Sequence, residues 1–133
     1  MTRFVIDSSA YVQVIGSGSG DRMRLRNRLV AGECHAPHLV DVEVGSVLRR
    51  RVLAGALDAG VALAGLRALR RLVDRRYEHT GILAEQAWRL RGSITFYDAV
   101  YAALAAALDL PLLTADARLA RAPGLPCQVE LVG

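Results

Sequence analysis

Four acids, Asp7, Glu43, Asp98 and Asp116, stand out in this 133-residue chain because each falls at the end of an apolar segment or at the start of a helical one. Asp7 closes the run Phe4-Val5-Ile6, and Asp116 follows Leu112-Leu113-Thr114 by two residues. Glu43 comes early in the helical stretch after Pro37, and Asp98 lies in the first turn of the apolar stretch after Thr95. Two carboxylates about 4 Å apart repel by roughly 4 kcal/mol at an effective dielectric of 20. A divalent cation removes that repulsion, and Mg²⁺ prefers oxygen ligands while keeping several waters. A convergent set would therefore hold a dication able to polarise an oxyanion and activate water. Without the metal, at least one acid should have a raised pKa.

The elements must bring these residues together. Strands are expected at Phe4–Ile6, Glu33–Ala36, Arg75–His79, Leu112–Thr114 and Gln128–Val132, from short apolar runs with turn residues between them. Helices are expected from Ser8 or Ser9 to about Val14, Arg22 to Ala31, Pro37 to about Leu53, after Asp58 to Val73, Ile82 to Leu90, Tyr97 to Leu108, and briefly at Arg118–Ala120. Strands alternating with helices predict a single α/β domain over residues 1–133, a three-layer sandwich around a mainly parallel, short-stranded sheet. In a parallel sheet each helix runs back against its strands, so helix starts meet strand ends. All four acids then share the carboxyl edge, where open α/β folds build their sites.

Other acids are expected elsewhere. Asp109 falls on the opposite edge, Asp41 points to another helix face than Glu43, and Asp21 and Asp58 read as caps. Asp74 can pair with Arg70 or Arg71. Singly, Asp7, Asp98 and Asp116 also make sense as capping, first-turn and turn residues. Convergence is what separates the two readings.

Composition narrows the classes. The formal charge is +4, and all 17 basic residues are Arg. Arg suits bidentate phosphate contact, although an Arg-rich, Lys-free chain also follows from a GC-rich genome. Absence of Lys excludes a nucleotide-binding P-loop at Gly16-Ser17-Gly18-Ser19-Gly20, which reads as a flexible surface loop. No apolar run reaches the roughly 20 residues of a membrane span. The N-terminus shows no signal peptide, so a cytoplasmic location is expected. Cys34 and Cys127 read as buried thiols, not a bridge. Cys34, His35 and His38 lack the second ligand pair that a structural zinc needs. Trp88 and Tyr77 read as core residues.

The chain resembles the PIN-domain family, specifically the VapC-type toxins of bacterial toxin–antitoxin pairs. The likeness rests on Val5-Ile6-Asp7-Ser8-Ser9-Ala10, Ala36-Pro37 through Glu43 to Leu48-Arg49-Arg50, Tyr97-Asp98-Ala99-Val100-Tyr101 with Ala103-Leu104-Ala105, and Pro111-Leu112-Leu113-Thr114-Ala115-Asp116. It implies an endoribonuclease in which Asp7, Glu43, Asp98 and Asp116 hold Mg²⁺ or Mn²⁺, with Asp7 and Asp98 as the best-kept ligands. Ser8 and Thr114 match small hydroxyl positions beside the site. The resemblance also implies hydrolysis of RNA by activated water to a 5′-phosphate and a 3′-hydroxyl. Implied partners are a VapB-type antitoxin covering the acidic groove and a second copy in a homodimer, for which the apolar helices between Leu39 and Val73 could supply the surface. The Gly16–Gly20 loop departs from many members and lies where nucleic acid could approach.

Arg49, Arg50 and Arg51 end the Glu43 helix, and Arg50, seven residues on from Glu43, shares its face. Arg49 and Arg50 are therefore candidate RNA-phosphate contacts, against a bland role complementing the helix dipole. Two other functions fit the same residues: a PIN-like nuclease for RNA or DNA processing without an antitoxin, and a non-catalytic pocket that binds a metal or a partner.

Overall fold

A computed structural model of the chain describes residues 2–16 and 18–133. Its elements, in order, are β1 (Arg3–Ile6), α1 (Ser8–Val12), α2 (Gly20–Ala31), β2 (Glu33–Pro37), α3 (Leu39–Leu53), α4 (Ala59–Leu72), β3 (Arg75–Tyr77), α5 (Ile82–Trp88), α6 (Phe96–Leu108), β4 (Leu112–Thr114), α7 (Ala117–Ala120) and β5 (Val129–Leu131). The five strands form one sheet in the order β3-β2-β1-β4-β5, with every neighbouring pair parallel.

That order decides where a site can form. From β1 the chain steps outward through β2 to β3, then returns to add β4 on the other side of β1. The direction reverses between β1 and β4, which makes the crevice beyond their carboxyl ends the topological switch point. Right-handed crossovers place the helices of the outward steps on one face and those of the return step on the other. Accordingly α3 packs on α1 and α4, while α5 packs on α6. The main core gathers Phe4, Val5 and Ile6 of β1 with Leu112 and Leu113 of β4 and inward residues of the surrounding helices. A smaller core of Ala87, Ala99, Val100 and Ala103 joins α5 to α6.

Local chemistry explains most element ends. The Asp58 side chain accepts from Val61 N at 3.1 Å and opens α4; Thr95 accepts from Asp98 N at 3.2 Å and opens α6. Asp109 ends α6 in the left-handed region, φ 53°, at the edge opposite the four acids. Ser19, not Asp21, caps α2, leaving Asp21 in its first turn to pair with Arg24. Asp7 itself, not Ser8 or Ser9, caps α1. Asp74 accepts from Cys34 N at 2.7 Å, so it ties β2 to the chain ahead of β3 and does not serve Arg70 or Arg71. Asp41 turns away from Glu43 and takes both Arg76 Nε (2.7 Å) and Arg76 Nη2 (2.9 Å). Both cysteines are free; Cys34 is buried, and burial pushes its thiol up to about 12, whereas Cys127 is half-buried. Ser17 of the glycine loop lies outside the described residues.

Candidate active site

Asp7 anchors the site. It follows the last residue of β1 and is 4% exposed, yet three donors hold its carboxylate. Oδ1 accepts from Ser9 Oγ at 2.7 Å and from Ala10 N at 2.9 Å, and Oδ2 accepts from Thr114 Oγ1 at 2.5 Å. The Ser9 hydroxyl also accepts from Ala115 N at 2.9 Å and sits 3.2 Å from Thr114 Oγ1. Two hydroxyls thereby join the ends of β1 and β4 across the switch point. Of the two expected hydroxyls, Thr114 reaches the Asp7 carboxylate, and the serine that joins it there is Ser9 and not Ser8. The sequence offered both serines equally, and only the first turn of α1 selects between them.

Glu43 is half-buried on α3, and its Oε1 accepts from Tyr101 Oη at 2.6 Å. Tyr101 is three residues after Asp98 on α6, a spacing that puts both on one helix face. It is the supporting residue that the reading of the acids alone passed over, and the Asp98–Tyr101 interval was its signal. Burial and the Glu43 charge raise the Tyr101 pKa far above the ordinary phenol, so it stays a donor. Asp116 caps α7 through Oδ1, which accepts from Arg118 N at 2.9 Å and Leu119 N at 3.4 Å.

The four acids are electrostatically one group. Burial pushes Asp7 above the usual carboxylate range against its three hydrogen bonds, and the Asp98 charge pushes further in the same direction. Glu43 is raised by burial and by Asp98 and Asp7. Asp98 is raised by burial and by Asp116, while Arg118 pulls it back. The sheet closes separations of 36, 55 and 18 residues along the chain.

These donors fit a hard dication. All are carboxylate oxygens, and their mutual repulsion is the energy a cation would remove. Among the described residues no three His, Cys, Asp or Glu side chains crowd into a ready-made cage.

A cavity of about 720 Å³ opens beside the acids, with Thr95, Asp98 and Asp116 on its wall. Arg91, Arg118 and Arg121 line it too. Arg118 Nε stands 3.8 Å from Asp116 Oδ1, and its side chain is otherwise open to solvent. These three arginines, not Arg49 and Arg50, share this cavity with Asp98 and Asp116. Arg49 and Arg50 are exposed near the far end of α3, where Arg50 Nη1 donates to Ser46 Oγ at 3.0 Å. Gly16 of the glycine loop borders a separate cavity of about 680 Å³ with Tyr11, Gly65 and Val61, away from the acids. Trp88, expected in the core, is 59% exposed, whereas Tyr77 packs on the core as expected. His35 is buried with both ring nitrogens engaged, Nδ1 to Tyr77 Oη and Nε2 to Glu33 Oε1, each at 2.7 Å.

The PIN domain family model matches residues 4–125. A relative named Ribonuclease VapC1, from Mycobacterium tuberculosis, is 48% identical over 99% of both chains. The chain belongs to the PIN-domain family, in its VapC branch. Ribonuclease VapC9 of the same organism is 36% identical over 96% of this chain and 97% of its own. Among solved structures, VapBC2 from Rickettsia felis, determined with a DNA fragment from its promoter, superposes with a TM-score of 0.71 at 13% identity, covering 99% of this PIN domain and 100% of that chain. VapC20 from Mycobacterium tuberculosis, a sarcin–ricin-loop-cleaving toxin, gives 0.65 at 22% identity over 87% of this chain and 92% of its own. At those identities the likeness concerns the fold, and it bears out the α/β PIN-like architecture.

Proposed function

We propose that this PIN domain is a Mg²⁺-dependent endoribonuclease acting as the toxin of a toxin–antitoxin pair, with Mn²⁺ as an alternative ion. The observation that carries the proposal is the coupled group Asp7, Glu43, Asp98 and Asp116 at the switch point, in a chain nearly half identical to a protein named as a VapC ribonuclease. Asp7 and Asp98 are the principal ligands, with Glu43 and Asp116 completing the set. When bound, the dication polarises the phosphodiester and lowers the pKa of water. Glu43, oriented by Tyr101, accepts a proton from the attacking water. Water adds at phosphorus, the P–O3′ bond breaks and the departing O3′ takes a proton from solvent, leaving a 5′-phosphate and a 3′-hydroxyl. Arg118, Arg91 and Arg121 receive the phosphates on either side.

Relatives solved as VapBC assemblies support a VapB-type antitoxin as partner; in this reading a basic side chain of that partner enters among the carboxylates and competes with metal and RNA. Val42, Leu53, Leu63 and Leu66, all exposed on α3 and α4 or at their ends, support a homodimer through these helices. No helix among the described residues is long and apolar enough to cross a membrane.

The test is cleavage of total RNA by the purified chain, with Mg²⁺ and with chelator, beside Asp7→Asn and Asp98→Asn. Cleavage should require the metal and vanish in both variants while circular dichroism stays unchanged. Metal-dependent cleavage by folded Asp98→Asn at the wild-type rate would refute the assignment. RNA left whole by the wild type under all conditions would favour a non-catalytic binding pocket.

A further inference from the structure

Three of the seven aromatic residues are exposed, and all three stand around the start of α6: Trp88 is 59% exposed, Phe96 45% and Tyr97 60%. The other four are buried or half-buried. Trp88 and Phe96 border one open depression of about 510 Å³, with Arg89 and Glu85 at its margin. Arg91 connects this depression to the acidic cavity. Its guanidinium lies 5.1 Å from the Trp88 ring centroid, and Nη1 donates to Trp88 O at 3.1 Å, while the same residue lines the cavity that holds Asp98 and Asp116. A path of arginines therefore leads from the acids to an exposed indole.

We propose that Trp88 and Phe96 form a base-stacking platform for an unpaired nucleotide of the RNA, flanking the cavity that holds Asp98 and Asp116. This rests on the ribonuclease reading above. An exposed Trp–Phe pair is costly in water, and a base supplies what it lacks: a flat π-face of any sequence. Arg91, Arg118 and Arg121 supply the complementary charge for the connecting phosphates. A paired strand keeps its bases stacked inside the helix and presents none to the indole. An apolar protein partner would use the aromatics without needing the arginine path into the acidic cavity, so single-stranded RNA is the better occupant.

Trp88 is the sole tryptophan, so intrinsic fluorescence reads the platform directly. The experiment titrates the full-length protein, in chelator to prevent cleavage, with a fluorescein-labelled single-stranded RNA of mixed sequence and with the same strand annealed to its complement. Anisotropy gives binding in parallel. Single-stranded RNA should quench Trp88 emission in step with anisotropy, whereas the duplex should leave it unchanged. Trp88→Ala should weaken single-strand binding by roughly tenfold, the scale of one lost base stack, and Trp88→Phe should restore most of it. Emission that stays constant while anisotropy saturates would overturn the proposal. So would a Trp88→Ala variant with undiminished RNA affinity that light scattering shows dissociating from dimer to monomer, which would assign the patch to a second copy. Either result leaves the ribonuclease reading standing if wild-type protein still cleaves RNA with Mg²⁺; loss of that cleavage sinks the reading itself.

Discussion

Asp7 shows how a single residue can be both structural and poised for chemistry. It caps α1, bridges β1 to β4 through two hydroxyls, and is buried with its charge opposed by Asp98. Three hydrogen bonds make the burial tolerable without making it favourable, since its pKa still lies above the ordinary carboxylate range. Glu43 and Asp98 are raised in the same way. An acid whose pKa is higher folded than unfolded binds its proton better in the folded state, so it destabilises the fold above the folded pKa and that loss is relieved as pH falls through it. Metal-free protein should therefore gain thermal stability between neutrality and about pH 4, the ordinary carboxylate value. Glu130 and Glu33, lowered by Arg28 and by His35 respectively, act in the opposite sense below that window. Asp7→Asn keeps a hydrogen-bonding side chain and removes the charge, so its melting temperature in chelator should be at least that of wild type and vary less with pH. Thermal melts at stepped pH decide this, and parallel profiles for the two proteins would refute it.

At the scale of elements, the site depends on α1 and α4 keeping their places on the outward face of the sheet. Tyr11 Oη donates to Gly65 O at 2.5 Å, and a Cβ at Gly65 would lie 2.8 Å from Ile15 Cδ1 and 3.1 Å from Ile15 Cγ1. The glycine lets the segment after α1 approach the α4 backbone. Gly65→Ala should therefore cost about 1–3 kcal/mol through overpacking. Gly45 on α3 is the opposite case: a Cβ there meets nothing within 4 Å. Gly45→Ala should raise stability by about 1 kcal/mol through helix propensity. Denaturant midpoints of the two variants should move in opposite directions, and a neutral Gly65→Ala would mean that α4 is free to shift. Arg76 makes a second tie, clamping Asp41 of α3 while donating to Leu69 O at 3.1 Å at the end of α4.

Over the whole molecule, charge is divided by function. A net charge of +4 coexists with an acidic group in which burial, and then neighbouring carboxylates, raise Asp7, Glu43 and Asp98 above the usual carboxylate range. The arginines at the rim of that pocket draw polyanions in, and the acids repel phosphate unless a cation intervenes. RNA affinity should therefore fall steeply with added salt. Arg121→Ala should weaken binding of every RNA sequence to a similar degree and reduce the slope of log K against log salt by about one. Binding titrations at several ionic strengths measure this; an unchanged slope would place Arg121 outside the RNA path.

The sequence by itself determined the order of elements, the parallel α/β class, and the identities of the four acids. Each depends on local matters: short apolar runs between turn residues for strands, helical spacing for helices, and acids placed at element ends. The resemblance in Pro111-Leu112-Leu113-Thr114 was legible for the same reason, because a short buried strand between turn residues leaves a plain local pattern. Tertiary structure alone decided which neighbours those acids have. Whether Ser8 or Ser9 reaches Asp7 depends on the first turn of α1 facing β4, a segment more than a hundred residues away along the chain. Tyr101 finds Glu43, and Arg91, Arg118 and Arg121 find the acidic cavity in place of Arg49 and Arg50, because contacts between helices follow from packing over the sheet. Trp88 marks the same boundary from the apolar side: hydrophobicity says that an indole should be covered, and only the arrangement of α5 and α6 shows that it stands open, with Arg91 between it and the cavity of Asp98 and Asp116.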